Sequence, residues 1–268
     1  MPTLAVLSMK GGVGKTSLTL GLASAAWQRG ARVLVVDLDP QANASMGLGV
    51  VGVGIGPPEL TVSDVLADPR PGIAAQAITD STWGPQVKVL PAERALEHRN
   101  YPDGPNSALR LRVALASVTR SFDLVLIDCP PSLGEMTRNA LHIATNAAVV
   151  TEPGYFALHG AEQAIEAIDV IRNTTNPSLQ STLVVLNRVR MTVAEHRNRV
   201  TEIREAYPEL VSEIMVPERN AIPQAEAACM PIHAWESPAG TELAGVFDSL
   251  LDVVAPRLRV IPPPVIEL

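Results

Sequence analysis

Two lysines and three glycines stand close together near the start of the chain, in the segment SMKGGVGKTSL that begins at Ser8. The 268-residue chain has only three lysines, and two of them, Lys10 and Lys15, fall in this short stretch. Lysine carries a compact ammonium on a flexible stem, whereas arginine carries a planar guanidinium. Glycines let the backbone curl so that several N–H groups point at phosphate oxygens. The segment therefore predicts a phosphate-binding site.

The position of this loop between two predicted elements supports that interpretation. The loop follows the apolar run TLAVLS and opens a predicted helix over 15–29, which is the context that a phosphate-binding loop requires. The helix adds the positive end of its dipole. We expect Lys15 to bridge the β- and γ-phosphates of a nucleotide and Thr16 to ligate Mg²⁺ through its hydroxyl. The residues expected to contact ATP in this loop are Gly11, Gly12, Val13, Gly14, Lys15, Thr16 and Ser17.

Three acidic residues follow other apolar runs. Asp37 and Asp39 end the run VLVVDLDP, and Asp128 ends the run FDLVLID. On residue types alone, paired acids at a strand end could simply cap the next segment. At the carboxyl edge of a parallel sheet, beside a phosphate loop, a role in ligand binding is favoured.

Apolar runs of strand length alternate with helical patterns along the chain. The runs lack polar alternation, so both faces of the sheet should be covered. Strands alternating with helices imply βαβ units. We therefore predict an α/β fold with a single doubly wound, mostly parallel β-sheet flanked by helices, of the P-loop NTPase type. Strands are expected at 3–8, 32–39, 86–92, 122–131, 147–153, 181–188 and 212–218, helices at 15–29 and 106–120, and loops at 47–58 and 98–107.

Composition narrows the class of protein. The net charge of −7 argues against a constitutive polyanion binder, so any nucleic-acid contact needs a local basic patch. Cys129 and Cys229 form no CxxC pair, which favours free thiols over a zinc site or a disulfide. The chain begins almost directly with a strand and has no run long enough to span a bilayer, so we expect a cytoplasmic protein.

The glycine loop departs from the usual GxxxxGK[ST] pattern in a specific way. Reading back from Gly14, the first position of that pattern falls on Met9, and the loop reads KGGVGKT with an extra lysine at Lys10. In this the sequence resembles the deviant Walker A ATPases, the group of ParA/Soj partition ATPases, MinD and their relatives. The resemblance implies that Lys10 reaches across a dimer to the partner's nucleotide. It also implies that Asp39 orients the attacking water and, with Asp128, holds the water shell of Mg²⁺, while Asp37 is structural.

Further stretches support the resemblance and spread it over most of the chain. The segment TEPGYFALHGAEQ (151–163) closely matches the partition branch, and we assign no chemistry to it. The segments VVLNRV and VPERNAIPQAEAACMPI resemble family segments around the base. They imply ATP contacts by Asn187, Pro217 and Asn220, although Asn187 could also serve turn chemistry. Glu218 stands where the family often has arginine after the proline.

The resemblance implies a Mg-dependent ATPase with ATP and Mg²⁺ as cofactors. Lys10, Lys15 and Asp39 would be its catalytic residues. A homodimer would close over two ATP molecules, hydrolyse them slowly, and reopen when the γ-phosphate is lost. A ParB-like or adaptor protein would stimulate hydrolysis. We expect one ATPase domain over 1–258 and a Pro-rich tail over 259–268.

Members of this family differ in the surface that the closed dimer binds. Partition-type members bind non-specific DNA, whereas MinD-type members bind membranes through a C-terminal amphipathic helix. The tail RVIPPPVIEL contains three consecutive prolines and lacks a basic amphipathic pattern, so a membrane partner is disfavoured. The candidate DNA-binding residues are Arg188, Arg190, Arg197, Arg199, Arg204 and Arg219, with Arg257 and Arg259 adding charge near the end.

Acidic residues interrupt the basic stretch, so a solvated mixed-charge helix is the alternative to DNA contact. We expect weak, salt-sensitive and sequence-blind DNA binding by a nucleoid-associated partition ATPase. A positioning ATPase for an organelle or protein cargo would have nearly the same sequence and stays an alternative. Iron–sulfur carrier relatives and the nitrogenase iron protein share the loop, but the suitably placed cysteines are absent from this sequence.

Overall fold

One seven-stranded sheet forms the centre of the protein, seen in a computed structural model that describes residues 1–256 and 258. The strands are β1 (Thr3–Leu7), β2 (Val33–Asp37), β3 (Thr79–Ser81), β4 (Gly84–Leu90), β5 (Leu124–Asp128), β6 (Asn146–Thr151) and β7 (Ser181–Leu186). The α-helices are α1 (Lys15–Gln28), α2 (Asn43–Gly47), α3 (Val62–Ala67), α4 (Ile73–Ala77), α5 (Arg110–Leu115), α6 (Glu135–Ile143), α7 (Ala157–Thr174), α8 (Ala194–Ala206), α9 (Ala221–Ala227) and α10 (Pro238–Val254).

The strand order brings the predicted site residues to one edge. The order is β3-β4-β2-β5-β1-β6-β7, with β3 antiparallel to β4 and every other pair parallel. Consequently β5, which ends at Asp128, lies between β1 and β2. In register, Asp128 is opposite Val6 of β1 and Asp37 of β2. The predicted fold class is confirmed.

Helices cover both faces of the sheet, as the unbroken apolar runs predict. All residues of β1, β2 and β5 are buried. Alternate residues of each strand point to opposite faces. In β1, Leu4 and Val6 pack with α1 and α10, while Ala5 and Leu7 pack with α3 to α7 on the other side. One hydrophobic core therefore lies on each face of the sheet, and together they fix the positions of the strand ends that carry the predicted site residues.

Three local predictions differ from the structure. The strand expected at 212–218 is wrong: the chain there makes one isolated bridge, between Pro217 and Val189, and a second bridge joins Val211, just before it, to Val184. Proline has no N–H to extend a ladder, which limits this edge. The helix expected over 106–120 is broken into a 3₁₀ turn, the short α5 and another 3₁₀ turn. The hairpin strand β3 was not predicted, because its three residues are mostly polar.

The expected Pro-rich tail over 259–268, together with Arg257 and Arg259, lies outside the described residues. None of the helices within 1–256 combines the length and the apolar character needed to cross a membrane.

Candidate nucleotide site

The glycine loop leaves the start of α1 open for an anion. Gly12 and Gly14 have φ angles of 80° and 88°, in the left-handed region that favours glycine. Gly14 is the residue before α1, and it has no side chain to accept hydrogen bonds from the first N–H groups of the helix. Those N–H groups are the ones that a helix leaves unpaired. The loop therefore presents backbone donors and the positive end of the helix dipole to the same point.

Asn187 holds this loop against the end of β7. Its side-chain Nδ2 donates to the carbonyl oxygen of Val13 at 2.7 Å and to that of Gly14 at 3.4 Å. A Cβ atom placed on Gly14 would lie 2.1 Å from that Nδ2 atom. The loop conformation thus depends both on the glycine and on the asparagine, which is only 2% exposed.

Asp128 is fully buried at the end of β5, next to α1. The Thr16 hydroxyl donates to its Oδ2 at 2.7 Å, and the Thr19 hydroxyl donates to its Oδ1 at 3.3 Å. Burial raises the pKa of Asp128, and the neighbouring charge of Asp37 raises it further. The hydrogen bond from Thr16 and the charge of Lys15 oppose this rise. A buried carboxylate of this kind is costly to ionise without a nearby cation.

Asp37 and Asp39 have different surroundings. Asp37 is fully buried and accepts hydrogen bonds from the backbone N–H and the hydroxyl of Ser45, at 2.8 and 2.7 Å. Burial raises the pKa of Asp37, and these hydrogen bonds counter the effect. Asp39 lies at a cavity wall, and its Oδ1 accepts from the backbone N–H of Gln41 at 3.0 Å. Asp37 therefore ties β2 to α2, whereas Asp39 remains available to a ligand.

A cavity of about 420 Å³ lies beside the glycine loop. Asp39 lines it together with six of the seven loop residues expected to contact ATP, and Val13 does not. Its lining residues are Gly11, Gly12, Gly14, Lys15, Thr16, Ser17, Asp39, Gln41, Asn43, Met46, Gly47, Pro131, Arg188 and Glu226. Lys15, although charged, is only 6% exposed, so its ammonium is held at the cavity rather than in bulk water.

The oxygen-rich corner of this cavity fits a small hard cation. Thr16 and Asp39 line it with a hydroxyl and a carboxylate. Asp128 is not part of the lining; it is fully buried behind Thr16, whose hydroxyl donates to it. Mg²⁺ takes oxygen ligands and usually keeps several waters, with one or two protein groups and the phosphates completing its shell. Within residues 1–256, no group of three or more His, Cys, Asp or Glu side chains could hold a metal ion alone. The corner is therefore suited to a metal that arrives with phosphates.

Sequence reasoning did not place Arg188 and Glu226 at this cavity. Arg188 was expected on a DNA-binding surface, but it follows β7, has a φ of 53°, and lines the cavity. Glu226 on α9 has a buried Oε1 atom without a hydrogen-bond partner. Burial raises the pKa of Glu226, and Ser17 and Arg188 oppose the rise. The quoted segment around EAAC contains Glu226, but only the packing of α9 brings it to the loop.

Lys10 turns away from its own cavity. Its Nζ lies 2.5 Å from the Oε1 atom of Glu152, just after β6, and its side chain is 62% exposed. Among the residues expected to contact the base, Asn187, Pro217 and Asn220 do not belong to the cavity lining. Asn187 instead contacts the loop backbone, and Pro217 bridges to Val189. Base contact by these three residues stays a prediction.

Carboxylates hold half of the arginines in the predicted DNA-binding set. Arg199 lies 2.8 Å from Glu195 and 2.6 Å from Glu202. Arg190 pairs with Glu218, and Arg219 pairs with Glu242. In contrast, Arg197 and Arg204 donate to the backbone carbonyls of Met191 and Glu213. Arg197 and Arg204 are therefore the members on α8 whose charge is least neutralised by these contacts.

Both cysteines are free, as expected. Burial raises the pKa of the Cys129 thiol, and the charge of Asp128 raises it further. This thiol is therefore inert as a nucleophile.

Comparison with known proteins identifies relatives that cover most of the chain. The protein family described as an AAA domain matches residues 1–181. Chromosome partitioning protein ParA of Caulobacter vibrioides (strain NA1000 / CB15N) is 33% identical over 242 residues, which cover 87% of this chain and 86% of that protein. Sporulation initiation inhibitor protein Soj of Bacillus subtilis is 30% identical over 235 residues, which cover 87% of this chain and 90% of that protein.

A solved structure shares the same architecture. Cobyrinic acid a,c-diamide synthase from Mycobacterium smegmatis, with bound ADP and magnesium, superimposes with a TM-score of 0.78 and 27% sequence identity. The match covers 98% of each chain. That protein therefore binds ADP and magnesium on a fold that nearly the whole of this chain shares.

Proposed function

The chain belongs to the ParA/Soj family of partition ATPases, and we propose that it binds ATP with Mg²⁺, dimerises on ATP, binds non-specific DNA and hydrolyses ATP slowly. One observation carries the proposal: backbone donors, Lys15, Thr16 and Asp39 converge at one cavity, and the buried Asp128 accepts the hydrogen bond of Thr16 behind it. The ADP and magnesium bound to the Mycobacterium smegmatis neighbour support the choice of ligands. The family membership supports DNA segregation as the work done by hydrolysis.

Different residues at the cavity would bind the phosphates, hold the metal and position the attacking water. The N–H groups of the loop and the Lys15 ammonium bind and orient the phosphates. Thr16, Asp128 and Asp39 would hold Mg²⁺, which neutralises charge on the phosphates when it is bound. Asp39 positions a water for in-line attack on the γ-phosphate, and Gln41 fixes one oxygen of Asp39 through its backbone N–H. Two electrons from the water oxygen form the new P–O bond, and ADP leaves with the electrons of the broken bond. The hydrogens of the water end on the inorganic phosphate, which exchanges them with solvent.

The orientation of Lys10 supports a role outside its own subunit. In the single chain its ammonium pairs with Glu152 and leaves its own phosphates to Lys15. In an ATP dimer, the partner's Lys10 would place a positive charge on the phosphates as charge develops in the transition state. Loss of the γ-phosphate would remove that contact and open the dimer.

Because turnover is slow, the rate of hydrolysis sets how long the ATP dimer persists on DNA. A ParB-like or adaptor protein would accelerate hydrolysis and release the dimer from the nucleoid. Arg197 and Arg204 on α8 are the strongest candidates for phosphate-backbone contacts, because neither is paired with a carboxylate among the described contacts. Such contacts give affinity without sequence preference.

The first experiment uses the Asp39→Ala protein, in which loss of the carboxylate proposed to position the water is expected to block hydrolysis and to let the ATP state accumulate. Binding to random-sequence DNA is measured with ATP and with ADP across a salt series, with anionic liposomes in parallel. We expect DNA binding with ATP alone, falling steeply as salt rises. DNA binding that is absent in both nucleotide states would overturn the DNA proposal, and binding to liposomes instead would assign the protein to a membrane.

A further inference from the structure

Two exposed aromatic residues stand next to each other after β6. Tyr155 and Phe156 are 74% and 68% exposed, in a chain that has only three tyrosines and three phenylalanines. Their rings pack edge to face with centroids 5.0 Å apart. The guanidinium of Arg199 on α8 lies 5.4 Å from the centroid of the Tyr155 ring. The pair is therefore held in a defined arrangement while most of its surface stays in water. We call these two residues the aromatic pair.

The sheet topology places the aromatic pair beside the glycine loop. Strands β1 and β6 are parallel neighbours, with Leu7 opposite Val149, so the segments that follow them share one edge. The Lys10–Glu152 ion pair joins those two segments directly. In addition, a Cβ atom on Gly160, in the first turn of α7, would lie 3.7 Å from the Cβ atom of Met9. The aromatic pair thus adjoins the surface from which Lys10 projects.

We propose that the aromatic pair is an apolar anchor for a second copy of this chain in the ATP dimer. The inference rests on the proposed function, since it needs an ATP dimer in which Lys10 acts on the partner's nucleotide. Lysine has a four-carbon stem, so Lys10 can reach the partner's phosphates only when the partner lies against this edge of the sheet. A partner so close also covers the segment that begins at Glu152.

The charges around the aromatic pair favour a protein surface over DNA. Arg199 is neutralised by Glu195 and Glu202. Glu162 lies near His159 on the first turns of α7. A phosphate backbone approaching the pair would therefore meet carboxylates. Tyrosine and phenylalanine are enriched in protein interfaces, and tyrosine is frequent among the residues whose truncation costs most affinity.

The test measures dimerisation separately from nucleotide binding. In the Asp39→Ala background with ATP and Mg²⁺, sedimentation velocity gives the dimer dissociation constant. The Tyr155→Ser/Phe156→Ser variant is expected to weaken the dimer at least tenfold. Binding of a fluorescent ATP analogue, measured below the dimerisation concentration, is expected to stay unchanged. Because both side chains are exposed, serine at these positions leaves the cores intact.

Two further variants complete the experiment. Val170→Ser removes an apolar side chain that is 63% exposed at the far end of α7, and it should leave the dimer unchanged. Phe156→Leu keeps apolar area and should retain most of the dimer affinity. If the Asp39→Ala parent stays monomeric with ATP, the proposed ATP dimer is overturned, and the anchor with it. If the parent dimerises and the double serine variant dimerises equally well, the proposed function stands and the anchor is overturned.

Discussion

Gly14 has almost no free space around it, because the side chain of Asn187 occupies the position of a Cβ atom. We expect Gly14→Ala to displace Asn187 from its bond to Val13 and to loosen the loop. Gly12→Ala is a matched control, since Gly12 also has a positive φ but its Cβ atom would meet nothing within 4 Å. Both variants carry the strain of a left-handed alanine, roughly 1–3 kcal/mol. Gly14→Ala should lose about 1–3 kcal/mol more by overpacking.

Urea unfolding without nucleotide measures this difference directly. Equal free energies of unfolding for Gly14→Ala and Gly12→Ala would show that Asn187 moves away at no cost. The comparison isolates the contact with Asn187, because the phosphate ligand is absent and the backbone strain is common to both variants.

The same residues show which parts of the site a sequence can predict. Lys15, Thr16 and the strand-end acids follow from local spacing, because a glycine turn and a strand end determine their positions. Glu226 reaches the cavity only through the packing of α9, and Arg188 only through its left-handed backbone after β7. Neither feature has a local pattern. The salt bridge between Lys10 and Glu152 likewise joins segments that only the sheet order brings together.

At the scale of elements, the contact between α1 and α10 depends on one glycine. A Cβ atom on Gly21 would lie 2.2 Å from the Cε1 atom of Phe247. Gly21→Ala is therefore expected to destabilise the fold by about 1–3 kcal/mol, because overpacking forces the ring to move. Gly245→Ala on α10 is the control, since nothing lies within 4 Å of its Cβ position. That change should stabilise the fold by roughly 0.5–1 kcal/mol, as expected for glycine in a helix interior.

Both substitutions replace a helical glycine with alanine, so propensity favours both. Thermal unfolding of the two variants would therefore distinguish the two effects. The melting temperature should fall in Gly21→Ala, where packing dominates, and rise in Gly245→Ala, where helix propensity dominates. A stabilising Gly21→Ala would mean that α10 can shift away from α1 without loss.

His233 joins the turn before α10 to α1 and gives this contact a pH dependence. The Ser24 hydroxyl accepts from the backbone N–H of His233 at 3.1 Å and lies 2.7 Å from its Nδ1. Ser24 can thus donate its proton to Nδ1, which fits a neutral ring. Burial lowers the pKa of His233, and the charge of Arg29 lowers it further. The charge of Asp248 and the backbone carbonyl of Ala244 oppose this effect.

The sign of the pH effect follows from these shifts. Well above pH 6.5 the ring is neutral in both the folded and unfolded chains, so its protonation has no effect on stability. Below that value the unfolded chain binds the proton first, and the folded state loses up to about 1.4 kcal/mol per pH unit. We expect the free energy of unfolding to fall between pH 7.5 and 5.5 by a larger amount in the wild type than in His233→Asn. Parallel pH curves for the two proteins would contradict the assignment.

Most elements follow from the unbroken apolar runs, because a buried parallel strand needs apolar residues on both faces. Elements at the sheet margins do not. At 212–218 the sequence SEIMVPE has strand-like residues, yet the segment forms only one isolated bridge, between Pro217 and Val189. Proline has no backbone N–H with which to extend the pairing. Likewise β3 has the sequence TDS and forms because its neighbour β4 offers a free edge. Marginal strands depend on the neighbour more than on their own residues.

At the scale of the whole molecule, a net charge of −7 means that DNA binding must depend on local cations. Arg197 and Arg204 lie two helical turns apart on one face of α8 and contact backbone carbonyls, whereas Arg199 is held by two glutamates. A phosphate that takes Arg199 leaves those glutamates unpaired, so its contribution should be smaller.

In the Asp39→Ala protein with ATP, we expect Arg197→Ala and Arg204→Ala each to weaken binding to random-sequence DNA more than Arg199→Ala does. Each lost phosphate contact should also make the slope of log affinity against log salt shallower by about 0.9. Fluorescence anisotropy across a salt series measures both quantities, and sedimentation velocity verifies that each variant is still dimeric. The charge of the molecule as a whole is nearly unchanged by any one substitution, so a uniform response of all three variants would mean that the acidic background, and not α8, sets the salt dependence.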